Sequence, residues 1–587
     1  MLKNNPISFL WRHIWKYSVG THKAVGIYVV LSALATTVWT LQPMVIGKLL
    51  NVLQSHGGIT SANATTVVYL ILTLAGVTFV YWALHGPSRI IEQENAHHVL
   101  QTYRSHLLKG VFSLPIAWHS DRDSGQVLDK ITKATSGTLS FAGNTFQSIG
   151  FVTQMVVTSI VLSYYDPRIA LVTLVLIFIS FFITYTFDLR IVEYLAALQK
   201  KENRLAAKLT DALTNMFSVK ILHIEKPIFA GIMEESRSDK VLWGSFIRTQ
   251  EWKWFTGGMI FNIITVIPLL AYVLIVRSSG EVFEVGTFTA LYLYSSNLIY
   301  VYYGFNSNYE EMLRHKSRII GVADIEEAIE QNEKHPRKVV KNWKELSLRG
   351  VHFSYGEEKA DLKNITITLR QGERVALIGS SGSGKTTFLK VLHGMYPNAT
   401  GEFSLDGNAF RETNFADIDL ESTLVPQEPE VFSSTIRENI TLAMDFTEAD
   451  LNEAMDIARF TEVLDSLPNG LDSVVNEKGV NLSGGQKQRL ALARALIFSG
   501  GKNILLLDES TSSVDSENET KIYSEIFKSW EGCTVLATIH KLNLLKYFDR
   551  IVMFSKGSIV DEGTFEELLA RNAQFKKSWK EYSKTVK

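Results

Sequence analysis

Residues 374–386 read RVALIGSSGSGKT, a short apolar run followed by a glycine-rich loop that ends in lysine and threonine. From Gly379 onward they match the pattern G-x-x-x-x-G-K-[ST]. The glycines let backbone N–H groups surround phosphate oxygens, and the following helix adds the positive end of its dipole. In this pattern the lysine contacts the β- and γ-phosphates and the hydroxyl binds Mg²⁺. We therefore predict an ATP site formed by Gly379, Ser380, Ser381, Gly382, Ser383, Gly384, Lys385, Thr386 and Thr387.

A second apolar run, residues 504–507, ends in two carboxylates, Asp508 and Glu509. Open α/β sheets bind ligands at the carboxyl ends of their strands. Asp508 is suited to hold Mg²⁺, directly or through water, and Glu509 is suited to act as the general base on the attacking water. The alternative is that both acids only cap the next helix. The phosphate loop upstream, at the distance expected within one domain, favours the catalytic interpretation.

The region from 345 to 587 alternates short β-branched runs with helical stretches. This alternation predicts an α/β domain with a doubly wound, largely parallel sheet. The predicted strands are residues 365–369, 374–378, 504–507, 535–539 and 551–554.

The composition of the whole chain indicates a membrane protein. Of the 587 residues, 46% are hydrophobic and only 20% are charged, whereas an average soluble domain has about 25% charged residues. The net charge of −1 argues against a nucleic-acid partner, which usually requires a strongly basic face. Cys533 is the only cysteine, which excludes an intramolecular disulfide and suggests a buried, inert thiol.

Residues 24–325 contain long apolar runs, and a helix needs about 20 such residues to cross a bilayer. We predict an all-α domain with long cytoplasmic helix extensions. The long gaps between runs, 87–143 and 189–254, are rich in lysine and arginine, which places them in the cytoplasm. The six predicted spans cover residues 24–50, 66–86, 144–165, 169–188, 255–276 and 286–305.

Two flanking segments differ from the spans in composition. Residues 1–23 carry an apolar stripe at helical spacing, with Trp11 and Trp15 among basic residues, which predicts a helix in the membrane interface. Residues 326–344 are polar and contain the dipeptide His335-Pro336, which predicts a linker.

Residues 482–486 read LSGGQ, and this stretch resembles the signature motif of ABC transporters. A Ser-Gly-Gly sequence that opens a helix is itself a second anion-binding helix start. The resemblance implies nucleotide contacts from Leu482, Ser483, Gly484, Gly485 and Gln486.

Further motifs follow the order found in this family. Tyr355 is similar to the aromatic residue that stacks on adenine, and Gln427 to the glutamine that senses Mg²⁺ and water. His540 is similar to the histidine that contacts the γ-phosphate. Residues 512–515 resemble the loop that crosses the dimer of cassettes, ending in Asp515, and Glu477–Gly479 resembles the loop that contacts the membrane helices.

The membrane half resembles the exporter type of the family, called type IV. Pro43 in the first span fits, and residues 114–116 before Gly125 resemble the first coupling helix. Asp211 stands in the second coupling segment where the family usually has glutamate. Residues 315–320 match the end of the extension of the last span, so the resemblance covers essentially the whole chain.

One chain supplies one phosphate loop and one signature, so the resemblance implies a half-transporter that works as a head-to-tail dimer. All motifs are intact, which favours a homodimer over a heterodimer. The implied activity is ATP hydrolysis coupled to export or flipping of an amphipathic or hydrophobic compound, lipid or peptide. Alternatives are an importer of siderophore-like cargo, an ATP-gated channel or regulatory subunit, and a soluble ABC ATPase.

The sequence gives less direct information about the cellular location and the cargo than about the ATP site. The absence of a presequence favours a bacterial inner membrane, with the ATPase domain in the cytoplasm and lipids around the spans. The last predicted span is rich in tyrosine and asparagine, which suits either packing together with an interfacial aromatic belt or the lining of a cavity.

Overall fold

The computed structural model describes residues 5–120, 122–333, 338–339, 343–355, 361–396, 399–409, 418–419, 421–476, 482–500, 503–530 and 532–585. The chain forms two compact units. The first holds the chain up to Asp324 except Gly110–Val127, and the second holds that segment together with Ile325–Lys587. The first unit is helical, and the second is built around β-sheets.

Long helices dominate the chain up to Glu333. The longest have 50 and 48 residues, or about 75 and 72 Å at 1.5 Å per residue, which far exceeds the roughly 30 Å of a bilayer's hydrocarbon core. The helices are α1 Pro6–Tyr17, α2 His22–Thr40, α3 Gln42–Ser55, α4 Ala64–Ser113, α5 Ile116–Ser120, α6 Ser124–Ala142, α7 Thr145–Tyr165, α8 Pro167–Thr214, α9 Met216–Ile221, α10 Glu225–Arg237, α11 Lys240–Ser279, α12 Val285–Ile320 and α13 Ala323–Glu333.

Five helical stretches of the described chain are long and apolar enough to cross a membrane: His22–Ser55, Ala64–Ser113, Ser124–Tyr165, Pro167–Thr214 and Glu225–Ser279. They contain the first five predicted spans. The sixth, residues 286–305, lies within α12 but does not reach the same hydropathy, because its five tyrosines and Asn297 are polar. That span remains a prediction.

Two predicted segments differ in detail from the structure. The first span is not one helix but two, because the chain turns at Leu41 and Pro43 then lies in the first turn of α3, where proline is favoured. The first part of the predicted linker is helical, since α13 extends to Glu333 and buries Ile325 and Ile329 on one face.

The polar and aromatic residues of the predicted sixth span divide into two groups. Tyr294 and Tyr302 are buried, as is Asn306 directly after the span, and the Tyr294 hydroxyl donates to the Thr40 carbonyl at 3.1 Å. Tyr292 and Tyr300 are exposed in the single chain. Packing within the chain therefore explains only the first group.

The second unit contains the α/β domain, with three sheets. Six strands form the largest sheet in the order β12-β11-β4-β10-β9-β8, and four form an antiparallel sheet in the order β3-β2-β5-β6. The strands are β1 Lys338–Val339, β2 Glu345–Phe353, β3 Leu362–Arg370, β4 Arg374–Ile378, β5 Thr400–Leu405, β6 Asn408–Ala409, β7 Ile418–Asp419, β8 Ser422–Val425, β9 Ile504–Leu507, β10 Thr534–Thr538, β11 Arg550–Ser555 and β12 Ser558–Gly563.

Helices follow the strands β4, β8, β9 and β12 directly. The helices of the domain are α14 Lys385–Leu392, α15 Ile436–Thr441, α16 Glu448–Ile457, α17 Thr461–Leu464, α18 Gly484–Phe498, α19 Ser516–Ser529, α20 Phe565–Arg571 and α21 Ala573–Thr585, with 3₁₀ turns at Gly470–Asp472 and Leu542–Tyr547.

The large sheet is parallel from β11 to β8, and only β12 at its edge is antiparallel. Its central strands are apolar on both faces because each face covers a separate core. In β9, Leu505 and Leu507 point into one core, and Ile504 and Leu506 point into the other. The predicted parallel sheet is thus present, although residues 365–369 belong to β3 of the antiparallel sheet.

Candidate nucleotide-binding and catalytic site

The predicted site residues meet at the carboxyl edge of the large sheet. The phosphate loop follows β4, Asp508 and Glu509 follow β9, Gln427 lies two residues after β8, and His540 lies two residues after β10. Since β4, β10, β9 and β8 are consecutive neighbours in one parallel sheet, their carboxyl ends lie side by side. Parallel topology thus brings together residues that are far apart in the sequence.

The loop Gly379–Gly384 adopts a conformation that requires glycine. Gly379, Gly382 and Gly384 have φ angles of 151°, 73° and 105°, in the region that side chains disfavour. A Cβ atom on Gly379 would also lie 2.3 Å from the Phe554 carbonyl oxygen. The loop therefore keeps its backbone free of side chains where the sequence predicts phosphate.

Lys385 begins α14 and is 4% exposed. Its Nζ donates to the carbonyl oxygens of Gly379 at 2.9 Å and Ser380 at 3.2 Å, and none of the described carboxylates forms a salt bridge with it. Burial lowers the pKa of Lys385, against the weaker opposing attraction of Glu509 and Asp508. The ammonium group is thus a buried cation with no anionic partner.

Asp508 is 2% exposed and accepts two hydrogen bonds on one oxygen. The Thr386 hydroxyl donates at 3.0 Å and the Thr538 hydroxyl at 3.1 Å. Burial raises the pKa of Asp508, although these two hydroxyl groups favour the ionised form. The carboxylate and the Thr386 hydroxyl are therefore in contact, as expected of two ligands of one hard cation.

Glu509 is held between two predicted site residues. Its carboxylate accepts a hydrogen bond from the Gln427 amide at 2.7 Å and contacts His540 Nε2 at 2.6 Å. Its backbone has a φ of 47°, a conformation that costs energy in a non-glycine residue and is enriched at functional sites. The three residues predicted as catalytic thus form one connected group.

Tyr355 lies beside the helix that follows the phosphate loop. Its hydroxyl donates to the Thr387 hydroxyl at 3.4 Å, and its ring packs edge-on against Phe353 and Tyr396. The side chain is 55% exposed. An accessible aromatic face next to the phosphate loop fits the predicted stacking on adenine.

The signature residues start α18 in a different part of the domain. Ser483 and Gln486 form a reciprocal cap, in which each side chain accepts from the backbone N–H of the other. A Cβ on Gly485 would lie 2.6 Å from the Ser513 carbonyl oxygen, so glycine allows close packing there. Leu482 is buried in the core. Among the described residues, no hydrogen bond links Leu482–Gln486 to the phosphate loop.

Gln488 is a residue that the sequence reasoning did not select. It is 5% exposed, and its amide nitrogen donates to the Ser512 hydroxyl at 3.0 Å and to the Gln427 carbonyl at 3.3 Å. Its amide oxygen accepts from the Ser513 N–H at 2.8 Å. Gln488 therefore ties the signature helix to the loops that carry Gln427 and Asp515. The signal in the sequence that could have identified Gln488 is its amide side chain two residues after the signature motif.

Asp515 has a structural role within the chain. Its carboxylate caps α19, accepting from the Asn518 backbone N–H at 3.0 Å and the Asn518 amide at 2.9 Å. The backbone hydrogen bond from Asn518 is the main cause that lowers the pKa of Asp515. The nucleotide contact predicted for it has no counterpart among these contacts. Glu477–Gly479 lies outside the described residues.

The phosphate loop also contains an unused polar atom. The Ser383 hydroxyl is buried and has no hydrogen-bond partner among the described residues, which is costly unless a ligand supplies one. The described residues include no cluster of three or more His, Cys, Asp or Glu side chains that could hold a metal alone. Thr386, Asp508 and Gln427 instead offer the oxygen ligands that Mg²⁺ prefers when phosphates complete its shell.

Comparisons with known proteins give the same picture for both halves. The family model "ABC transporter transmembrane region" matches residues 25–300, and the model "ABC transporter" matches residues 362–512. A bacterial Atm1-family ABC exporter, solved with ATP bound, has the same fold: the TM-score is 0.82 at 20% identity, over 96% of this chain and 99% of that one.

Curated relatives include the ATP-dependent lipid A-core flippase of Photobacterium profundum, 26% identical over 96% of both chains. The corresponding flippase of Salmonella typhimurium is 28% identical over 81% of this chain and 82% of its own. An ABC multidrug transporter of Cryptococcus neoformans is 39% identical, but the match covers 39% of this chain and 17% of that protein.

The matches to the membrane half and to the cassette thus indicate the same class of protein. It is a multi-pass integral membrane protein with an ATP-hydrolysing domain, and it couples ATP hydrolysis to export or flipping across a membrane. The chain belongs to the ABC transporters, as a half-transporter of the exporter type.

Proposed function

We propose that two copies of this chain bind two ATP molecules between their cassettes, each ATP held by the phosphate loop of one copy and the signature of the other. The supporting observation is that two anion-binding helix starts, α14 and α18, share no hydrogen bond among the residues that the structure describes. A site that needs both must therefore take one from each partner. The intact motifs favour a homodimer.

In this proposal Lys385 and the loop N–H groups hold the β- and γ-phosphates, and Ser383 offers its unused hydroxyl to a phosphate oxygen. Thr386, Asp508 and Gln427 would hold Mg²⁺, which supplies a Lewis acid that neutralises the developing phosphate charge. Tyr355 stacks on adenine. Ser483 and Gly485 of the second copy would then contact the γ-phosphate from the opposite side and close the site.

Glu509 is the proposed general base. In the structure its carboxylate is occupied by Gln427 and His540, so a water molecule must displace or join these contacts before attack. His540 then contacts the γ-phosphate while Glu509 accepts the proton of the water. When ATP binds, the two cassettes close, and the closed dimer favours one conformation of the membrane helices. Hydrolysis removes this preference, so ATP acts by shifting the population between two conformations.

The proposed cargo is an amphipathic or hydrophobic compound, with lipids the best-supported class. The support comes from the full-length similarity to lipid A-core flippases and from the exposed Tyr292 and Tyr300 on the predicted sixth span. We place the transporter in a bacterial inner membrane and propose movement away from the cytoplasm.

Proteoliposomes with a fluorescent lipid, whose label is quenched from one side only, test this proposal. The wild type should move lipid between leaflets when ATP is added. Glu509→Gln should retain ATP but abolish both hydrolysis and movement. The control is Glu517→Gln, an exposed acid on α19 that pairs with Lys521, and it should behave as the wild type. Near-normal hydrolysis by Glu509→Gln would refute the assigned base, and movement in the opposite direction would indicate an importer.

A further inference from the structure

A groove opens between α8 and α11 where the apolar part of the fourth span ends. Its volume is about 480 Å³, and its walls include Phe187, Arg190 and Tyr194 on α8 and Arg248 and Trp252 on α11. We call it the arginine groove. It lies within the helical unit and is separate from the nucleotide site.

The two arginines of the groove form no salt bridge with any residue that the structure describes. Within that part of the chain, the side chain of Arg248 donates only to the Ser245 hydroxyl, at 3.3 Å. Glu193 and Glu251 lie one helical turn from Arg190 and Arg248, yet neither forms a salt bridge with them within the described chain. A guanidinium group without a carboxylate partner is free to bind another anion.

The remaining walls are aromatic. Trp252 is 61% exposed, and Phe187 and Tyr194 face it from α8 across the groove. Aromatic rings beside basic groups are typical of the membrane–water interface, where one part of the site meets acyl chains and the other meets headgroups. The groove therefore combines an anion site with an apolar wall.

The sequence places the groove at the cytoplasmic end of its two spans, because Arg190 and Arg248 belong to the basic gap 189–254. Lys253, the neighbour of Trp252 in the chain, forms salt bridges of 2.7 Å with Asp188 on α8 and with Glu310 on α12. Glu310 lies between the last predicted span and the cassette in the sequence, so this depth corresponds to the cytoplasmic leaflet. The basic residues that continue along α8, Lys200 and Lys201, agree with that side.

The same salt bridges fix the walls of the groove. Lys253 is 2% exposed and neighbours Trp252 in the chain, and Asp188 neighbours Phe187. Because Lys253 joins α8, α11 and α12, the two helices that carry the arginines are held at a fixed separation. Such preorganisation reduces the entropy lost when a ligand binds.

We propose that the arginine groove binds the phosphate of an anionic phospholipid from the cytoplasmic leaflet. Arg190 and Arg248 contact the phosphate oxygens, with the planar bidentate geometry that favours arginine over lysine, and the acyl chains run along Trp252. The proposal rests on the membrane location and not on the identity of the cargo, so it stands whether the lipid is transported or stays bound.

Native mass spectrometry of the purified full-length protein tests the site, with phosphatidic acid and phosphatidylcholine as probes. The wild type should bind phosphatidic acid more tightly. The double variant Arg190→Gln/Arg248→Gln should weaken binding of the first phosphatidic acid by about thirty-fold, at roughly five-fold for each basic residue near the surface. Phosphatidylcholine binding should not change.

The matched control is Arg204→Gln/Arg237→Gln, which removes the same charge from exposed positions on α8 and α10 and should leave phosphatidic acid binding near the wild-type value. If both double variants lost the same amount of phosphatidic acid affinity, the proposed site would be wrong, because the loss would then reflect only the change in net charge. The variant Arg190→Lys/Arg248→Lys keeps the charge and should show an intermediate loss, and wild-type affinity in it would overturn the bidentate contact.

Soluble glycerol phosphate separates a lipid site from a general phosphate site. It should compete poorly with phosphatidic acid, because it lacks the chains that contact the aromatic wall. Competition at the same concentration as the lipid would overturn the assignment to membrane lipid. ATP hydrolysis in phosphatidylcholine nanodiscs should be the same in all variants, which shows that each one is folded.

Discussion

Two buried lysines, one in each unit, show how differently the cassette and the membrane half use charge. Lys385 is 4% exposed and donates to two backbone carbonyls, whereas Lys253 is 2% exposed and is paired with the carboxylates of Asp188 and Glu310. A buried cation without an anion indicates a binding site, because its desolvation is compensated only when ligand arrives. A buried cation between two carboxylates indicates an ion-pair network that stabilises the packing of the helices.

The largest effect should come from removing the unpaired lysine. Lys385→Ala eliminates the cation that we propose contacts the phosphates, and we expect ATP affinity to fall by about 100-fold or more. Equilibrium binding of radiolabelled ATP measures this. Lys521→Ala, an exposed lysine on α19, should keep wild-type affinity. If Lys385→Ala bound ATP normally, the contrast between the two buried lysines would have no functional meaning.

The paired lysine should affect stability and not nucleotide affinity. Lys253→Met leaves two carboxylates buried without a partner, and breaking such a group costs about 3–5 kcal/mol. Thermal unfolding in detergent should show a lower midpoint, with ATP affinity unchanged. Lys240→Met at the exposed start of α11 is the control. Adding Asp188→Asn and Glu310→Gln should restore much of the lost stability. If it does not, the three residues do not stabilise the fold as an ion-pair network.

A smaller effect is expected at Gln488, which positions other residues in the cassette. Gln488→Leu removes the donor to Ser512 and the acceptor for the Ser513 N–H, at a cost of about 1–3 kcal/mol. The ATP hydrolysis rate should fall by roughly ten-fold while the affinity for ATP is retained. Gln488→Glu keeps the acceptor and should show a smaller defect. A loss of affinity equal to the loss of rate would contradict a positioning role.

The smallest expected effect is a proton taken up on ATP binding. Burial lowers the pKa of Lys385 below its ordinary value of 10.5, and bound phosphate must raise it by stabilising the ammonium form. In the alkaline range between the free and bound pKa values, binding should therefore take up a proton and weaken as the pH rises. Calorimetry in two buffers of different ionisation enthalpy measures the uptake, and Lys385→Arg should abolish it.

The sequence predicted the features that depend on local backbone geometry. The phosphate loop and the pair Asp508–Glu509 are short contiguous motifs, and each lies at the end of a strand that the apolar pattern identifies. The sequence placed both motifs at the carboxyl ends of strands in a largely parallel sheet, but the strand order β4-β10-β9 that brings them together comes from the structure. The roles of these residues toward nucleotide remain predictions.

Features that depend on distant partners were not predictable in the same way. Lys253 is 65 residues from Asp188 and 57 from Glu310, and no periodic pattern relates three residues on three different helices. Likewise, the alternation in residues 365–369 predicts a strand but not its partner, so its place in the antiparallel sheet was missed. The break at Leu41 inside an apolar run was missed because hydropathy does not distinguish one helix from two.

A cross-link between the phosphate loop of one copy and the signature of the other tests the shared ATP site directly. The single native cysteine, Cys533, is replaced by serine, and Ser381→Cys and Ser483→Cys are placed on separate, differently tagged chains that also carry Glu509→Gln. If each ATP is held between two copies, a disulfide between the two chains should form with ATP and Mg²⁺ and not without nucleotide. A double-cysteine chain that cross-links within itself, or an interchain yield that ATP does not change, would contradict the shared site.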